Sequence, residues 1–153
     1  MKRRRGFVQL AILHLLKEES MHGYQIMKEL EHRSGGFYAA SAGTVYPALQ
    51  ELLEQELIDL EPTSDKKTYV IQVKGIERLE DFTNKREGDF WIEWKARWVW
   101  QNSDEAVQLK AVLEQWEAEV RKAIKQTRHH PEKSTKLISF LEEITERLQT
   151  ENR

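Results

Sequence analysis

One change of periodicity constrains this chain more than any other feature. From Ser41 to Ile58 the run SAGTVYPALQELLEQELI places Val45, Leu49, Leu52 and Leu53 at i, i+4, i+7 and i+8, one apolar stripe of a helix. Soon afterwards KTYVIQV sets Tyr69, Ile71 and Val73 against Val70, Gln72 and Lys74, the alternation of a strand. LIDLEP supplies a second extended piece, and the link TSDK is turn chemistry, so the two pieces predict a hairpin. Upstream, Phe7 to Lys17 reads as a short apolar helix broken by EESMHGYQ. Ser20 is the expected N-cap of a second helix that stops at Gly35 and Gly36, and Ser41 is the N-cap candidate of the third. Three short helices followed by a hairpin outline a winged helix-turn-helix ending near residue 74.

The remainder is expected to be helical, since only seven glycines and three prolines interrupt the whole chain. Ile76, Leu79 and Phe82 recur at helical spacing, Gly88 is a stop, and Asp89 can cap the next segment. DFWIEWKARWVW fits two templates. Ile92, Trp94, Ala96, Trp98 and Trp100 alternate as in a strand, while Trp91, Trp94 and Trp98 fall at i, i+3 and i+7 as in a helix. Beyond Ser103 the pattern is unambiguous: Leu109, Leu113, Trp116 and Val120 form a coiled-coil-like seam, and after Pro131 a last helix repeats it with Leu137, Leu141, Ile144 and Leu148. The expected class is mainly α with a small β-hairpin. Residues 1–74 would be the winged helix-turn-helix, and residues 75–153 a helical region.

Several functions are excluded. The net charge of −2 rules out a generic basic nucleic-acid binder, so DNA contact has to come from local patches. With no cysteine there is no disulfide, zinc-thiolate site or thiol nucleophile, which fits a cytoplasmic protein. KRRRGFVQLAILHLL imitates a secretory leader, but its apolar run is short, contains Gln9 and His14, and leads into KEES rather than a cleavage site. It is also short of the ~20 apolar residues that span a membrane, so a buried first helix is the expectation. No Ser/His/Asp set, phosphate loop or carboxylate pair emerges, so an enzyme is not expected, nor any cofactor. His129 and His130 are adjacent and point about 100° apart on a helix, an unsuitable pair for chelation, so no metal is expected.

The runs MHGYQIMKELEHRSGG, SAGTVYPALQELLEQELI and KTYVIQVKG, in that order over roughly residues 6–80, resemble the PadR family of bacterial transcriptional regulators. The resemblance implies a DNA-binding winged helix-turn-helix domain at residues 1–74, followed by C-terminal helices at residues 75–153 that build a homodimer and form an effector-binding region. It further implies repression of a nearby promoter, often relieved by a small molecule. The long C-terminal part resembles the larger of the family's two size classes. Ala42 departs from the pattern where proline is frequent, and Gln50 and Glu51 stand where a basic pair is frequent.

On that reading the third helix presents its first turns to the major groove. Ser41, Ala42, Gly43 and Thr44 are small enough for close approach to phosphate, and their free N–H groups favour an anion. Tyr46 can meet a thymine methyl, and Gln50 can hold an adenine edge. Pro47, which lacks an N–H, is expected early in the helix, without strain if Thr44 is the N-cap. Arg3, Arg4 and Arg5 read either as a phosphate-contacting arm or as a solvated tail, Lys66 and Lys67 as the wing tip, and Tyr24 and Tyr38 as phosphate contacts or domain packing. Phe90, Trp91, Trp94 and Trp98 read as dimer core or as a pocket for a flat aromatic effector. The two seams would hold the dimer. The expected partners are therefore operator DNA, a second copy and a small aromatic effector, with no membrane. The alternative is a small-molecule-binding or interaction protein that keeps the fold and binds DNA weakly.

Overall fold

From Phe7 to Leu16, helix α1 (Lys2–Glu18) is apolar on nearly every face. Val8, Leu10, Ala11, Ile12, Leu13, Leu15 and Leu16 are all buried, and a helix of that kind has to be surrounded. Around it pack α2 (Gly23–Arg33), α3 (Ala42–Glu54), α4 (Val73–Thr83) and a small sheet. The computed structural model describes residues 2–62, 65–85 and 88–153, without the side chains of residues 2–5. The turn residues Thr63 and Ser64 of the predicted hairpin link lie outside it.

The hairpin of β2 (Ile58–Leu60) and β3 (Thr68–Ile71) is antiparallel, with Ile58 opposite Ile71 and Leu60 opposite Tyr69. The sheet has a third strand that the sequence did not announce. β1 (Met21–His22) pairs with β3, giving the order β1-β3-β2. Two residues are too few to show an alternation. Another correction concerns Val73 and Lys74, which belong to α4 and not to the strand. Gln72 is the N-cap, and a Cβ on Gly75 would run into the Leu57 carbonyl, so glycine lets the first turn of α4 lie against the approach to β2.

The N-cap of α2 is His22, not Ser20. Its Nδ1 accepts from the Gln25 N–H at 3.3 Å while its own N–H donates to the Gln25 carboxamide at 3.0 Å, a capping box with histidine as the cap. At the other end Gly35 and Gly36 take positive φ, and the Gly36 N–H returns to the Glu31 carbonyl at 3.0 Å. Ser34, fully buried, donates to that same carbonyl and accepts from the Tyr38 N–H, which fixes the link to α3.

The tryptophan-rich segment is helix α5 (Phe90–Gln101), capped by the Asp89 carboxylate accepting from the Trp91 N–H at 2.8 Å. Its inner face carries Trp94 and Trp98. Trp94 is 0% exposed, packs on Phe7, Tyr38 and Trp98, and donates from Nε1 to the Leu30 carbonyl at 3.2 Å. The aromatic stretch thus helps to form the core that α1 begins.

Two compact units result, Met1–Ser103 and Asp104–Arg153. The winged-helix elements end at β3, and α4 and α5 complete the first unit beyond the boundary expected at residue 74. The second unit is a hairpin of α6 (Asp104–Thr127) and α7 (Glu132–Glu151) packed on each other. No helix among the described residues is long and apolar enough to cross a membrane.

Candidate nucleic-acid interface

Helix α3 divides lengthwise. Val45, Ala48, Leu49 and Leu52 are buried against the first unit's core. Ala42, Gly43, Tyr46, Pro47 and Gln50 are exposed or lie toward the exposed side, and at this spacing Ala42, Gly43, Tyr46 and Gln50 share one face. Ser41 is the N-cap by backbone geometry, but its hydroxyl lies 3.1 Å from the Thr44 hydroxyl and makes no cap to the backbone. The Thr44 N–H turns back to the Ser41 carbonyl at 3.1 Å, but the Ala42 and Gly43 N–H groups precede any intrahelical acceptor, so this exposed end is open to an anion. Thr44 is not the N-cap, and Pro47 therefore sits inside the helix. Without a proline N–H, the Gly43 carbonyl loses its partner one turn on.

Tyr46 is held in place. A Cβ on Gly23 would come within 2.7 Å of the Tyr46 hydroxyl and 2.9 Å of its ring, so glycine at the start of α2 makes room for the phenol. Tyr46 stays 45% exposed and still presents an edge to solvent. Burial, with Tyr46 as a further contribution, raises the Tyr69 phenol above its ordinary range, so this ring remains a neutral hydrogen-bonding group near neutral pH. The His-Gly-Tyr run has a structural reason in each residue: a cap, a gap and an exposed ring.

Gln50 donates to the Glu54 carboxylate at 3.1 Å on the exposed face. Glu51 turns the other way and accepts from Gln9 of α1 at 2.6 Å. Only one of the two residues that replace a basic pair therefore faces outward.

The other expected contacts separate. Tyr24 is exposed on the first turn of α2, its ring 6.5 Å from that of His22. Lys28, one turn along, sits 5.6 Å over the Tyr24 ring. Sequence reading passed over Lys28; its i, i+4 spacing from Tyr24 was the available clue. Tyr38 is corrected from interface to core, being 7% exposed and packed on Trp94 and Trp98. Lys66 and Lys67 are exposed between β2 and β3. The backbone of Arg3, Arg4 and Arg5 lies in α1, so the basic run is not a separate extended arm; their side chains lie outside the described residues.

Phe90 and Trp91 are partly buried and join Trp94 and Trp98 in one aromatic stack, with His14 4.2 Å from Phe90. That stack is core of the first unit, leaving Trp94 no free face for an effector. In the hairpin, Val120, Leu137, Leu141 and Ile144 are partly covered, while Leu109, Leu113, Trp116 and Leu148 remain exposed.

Comparison with known proteins agrees with this geometry. Residues 12–81 match the model of the Transcriptional regulator PadR-like family. The chain is 30% identical over 139 residues to Transcriptional regulator YqjI of Escherichia coli, covering 90% of this chain and 66% of the relative. It is 29% identical over 80 residues to Negative transcriptional regulator PadR of Bacillus subtilis, covering 49% of this chain and 44% of that one. The chain thus spans two thirds or less of the length of these relatives. A solved structure of a transcriptional regulator from Clostridium thermocellum is 26% identical, with a TM-score of 0.50 over 56% of this chain and 84% of that one.

Proposed function

The chain belongs to the PadR-like family of transcriptional regulators, and on that premise we propose that it is a DNA-binding regulator, not an enzyme, and acts as a homodimeric repressor. The observation that carries this is the divided α3, whose first turns and one whole face are exposed while the opposite face anchors it to the core. Such a helix can enter a major groove with its backbone close to phosphate. Tyr46 and Gln50 read base edges. The open end of α3, the basic start of α1, Lys28, and Lys66 and Lys67 supply phosphate contacts.

Residues 75–153 carry dimerisation, with Leu109, Leu113, Trp116 and Leu148 as its exposed apolar residues. Two reading helices related by a two-fold axis would match a pseudo-palindrome with half-sites about one turn, ~34 Å, apart. A small effector releases the operator.

Replacing Tyr46 and Gln50 by alanine is expected to weaken operator binding by about 1–3 kcal/mol for each base edge that is no longer held, measured by titration of labelled duplex. Unchanged affinity would show that another face reads DNA. Affinity is also expected to fall steeply with added salt, because phosphate contacts release counterions. A flat salt response would favour the alternative in which the fold serves small-molecule binding.

A further inference from the structure

The α6–α7 hairpin is polarised in charge along its length. Between residues 121 and 136, the part that contains the turn, six basic residues stand against one acidic. In the rest of the hairpin, residues 104–120 and 137–153, nine acidic residues stand against three basic. Pairing inside the hairpin leaves this imbalance in place. Arg121 and Lys122 reach Glu117 at 3.9 Å and Glu119 at 2.7 Å, while Lys110 and Arg147 lie beside Glu114 and Glu143. Lys125, Arg128, Lys133 and Lys136 form no ion pair among the described residues. At the open end, where α6 begins and α7 stops, neither do Glu105, Glu146 and Glu151.

Exposed apolar residues accompany both ends. Ile124, Ile138 and Phe140 stand in the halves of their helices nearer the turn, and Leu109, Val112 and Leu113 in the half of α6 nearer the open end. Neither helix contains a fully buried residue, so these groups lack a covering surface within the hairpin. Two hairpins related by a two-fold axis lie side by side either turn to turn or turn to open end. Turn to turn sets cations against cations and carboxylates against carboxylates, which opposes association. Turn to open end sets each charge against its opposite and each exposed apolar group against another.

We propose that two copies of the chain pair through their hairpins in this antiparallel sense, the basic turn of each lying against the acidic open end of the other. The proposal rests on the homodimer reading and adds to it an orientation that charge, and not apolar contact, selects. Like-charge repulsion excludes the parallel arrangement, and the ion pairs between copies fix the register.

The chain has no cysteine, so His130→Cys creates a single labelling site at the turn of the full-length protein. Dipolar distance measurement between spin labels in the dimer is expected to give about one hairpin length, ~36 Å for the 24 residues of α6. Turn-to-turn packing would give the spacing of adjoining helices, about 10 Å, plus the label arms. Lys133→Glu with Lys136→Glu is expected to weaken dimerisation about tenfold or more in sedimentation, and so is Glu146→Lys with Glu151→Lys. An equimolar mixture of the two variants should recover the association of the unaltered chain, which also shows that both are folded. Labels at helix spacing, or turn variants that dimerise as well as the unaltered chain, would overturn the orientation and leave the homodimer standing. Turn variants that stay dimeric and lose operator affinity would assign these cations to DNA and overturn it equally. A chain that sediments as a monomer and gives no intermolecular distance would refute the homodimer and the orientation together.

Discussion

Gly23 and Tyr46 form the most sharply defined pair at the level of single residues. Adding one methyl group at Gly23 forces the phenol to move, because the new atom would lie 2.7–2.9 Å from it. Gly23→Ala is expected to cost about 1–3 kcal/mol of stability and to lower operator affinity together. Thermal melts and duplex titration check both, and retention of full affinity would mean that the position of Tyr46 is irrelevant to DNA. His14 makes a second prediction. Burial, with Lys17 as a smaller contribution, lowers its pKa below the ordinary 6.5, against weaker opposing pulls from Glu18 and Asp89. The unfolded chain therefore binds the proton first as pH falls. Stability contributed at this site is complete above about 6.5 and is lost as pH drops toward the lower folded value. His14→Leu should flatten that part of the stability profile in denaturant titrations between neutral and mildly acidic pH; an identical slope in the variant would refute the assignment. None of this was legible in the sequence. Helical spacing placed Tyr46 and His14 on their helices, but gave no sign of which ring each would meet.

Among the elements, helices with one clean stripe were readable and those shaped by tertiary contact were not. Val45, Leu49 and Leu52 marked the buried face of α3 in advance. The alternation in TYVI similarly marked β3, but ran on into Val73 because nothing local shows Gly75 approaching the Leu57 carbonyl. The tryptophans of α5 matched two periods equally, and the core decided between them: the helix turns Trp94 and Trp98 together toward Phe7 and Tyr38. Trp94→Ala is accordingly expected to destabilise the first unit by about 3–5 kcal/mol, the range for a large aromatic removed from a core, as calorimetry would show. The α6–α7 hairpin poses the opposite situation. Neither helix contains a fully buried residue, and Leu109 and Leu113 are 60% and 53% exposed. If that stripe is the dimer contact, Leu113→Glu should convert dimer to monomer in sedimentation velocity without unfolding the hairpin. A variant that sediments as a dimer would place the contact elsewhere.

For the whole molecule, a net charge of −2 has to be reconciled with the proposed binding of a polyanion. The reconciliation lies in distribution. Glu51 is turned inward to Gln9, Arg33 is committed to Glu18 and Glu29, and the reading face of α3 carries no basic residue at all. On the proposed function, base recognition and phosphate grip fall to different parts of the chain, and affinity depends on two copies acting together. The most direct test is selection of bound fragments from random duplex DNA by the full-length protein, followed by footprinting of the enriched sequence. Recognition by paired α3 helices predicts a pseudo-palindrome whose protected half-sites are centred about one helical turn, ~34 Å, apart. Failure to enrich any sequence, or protection of a single undivided site, would contradict it.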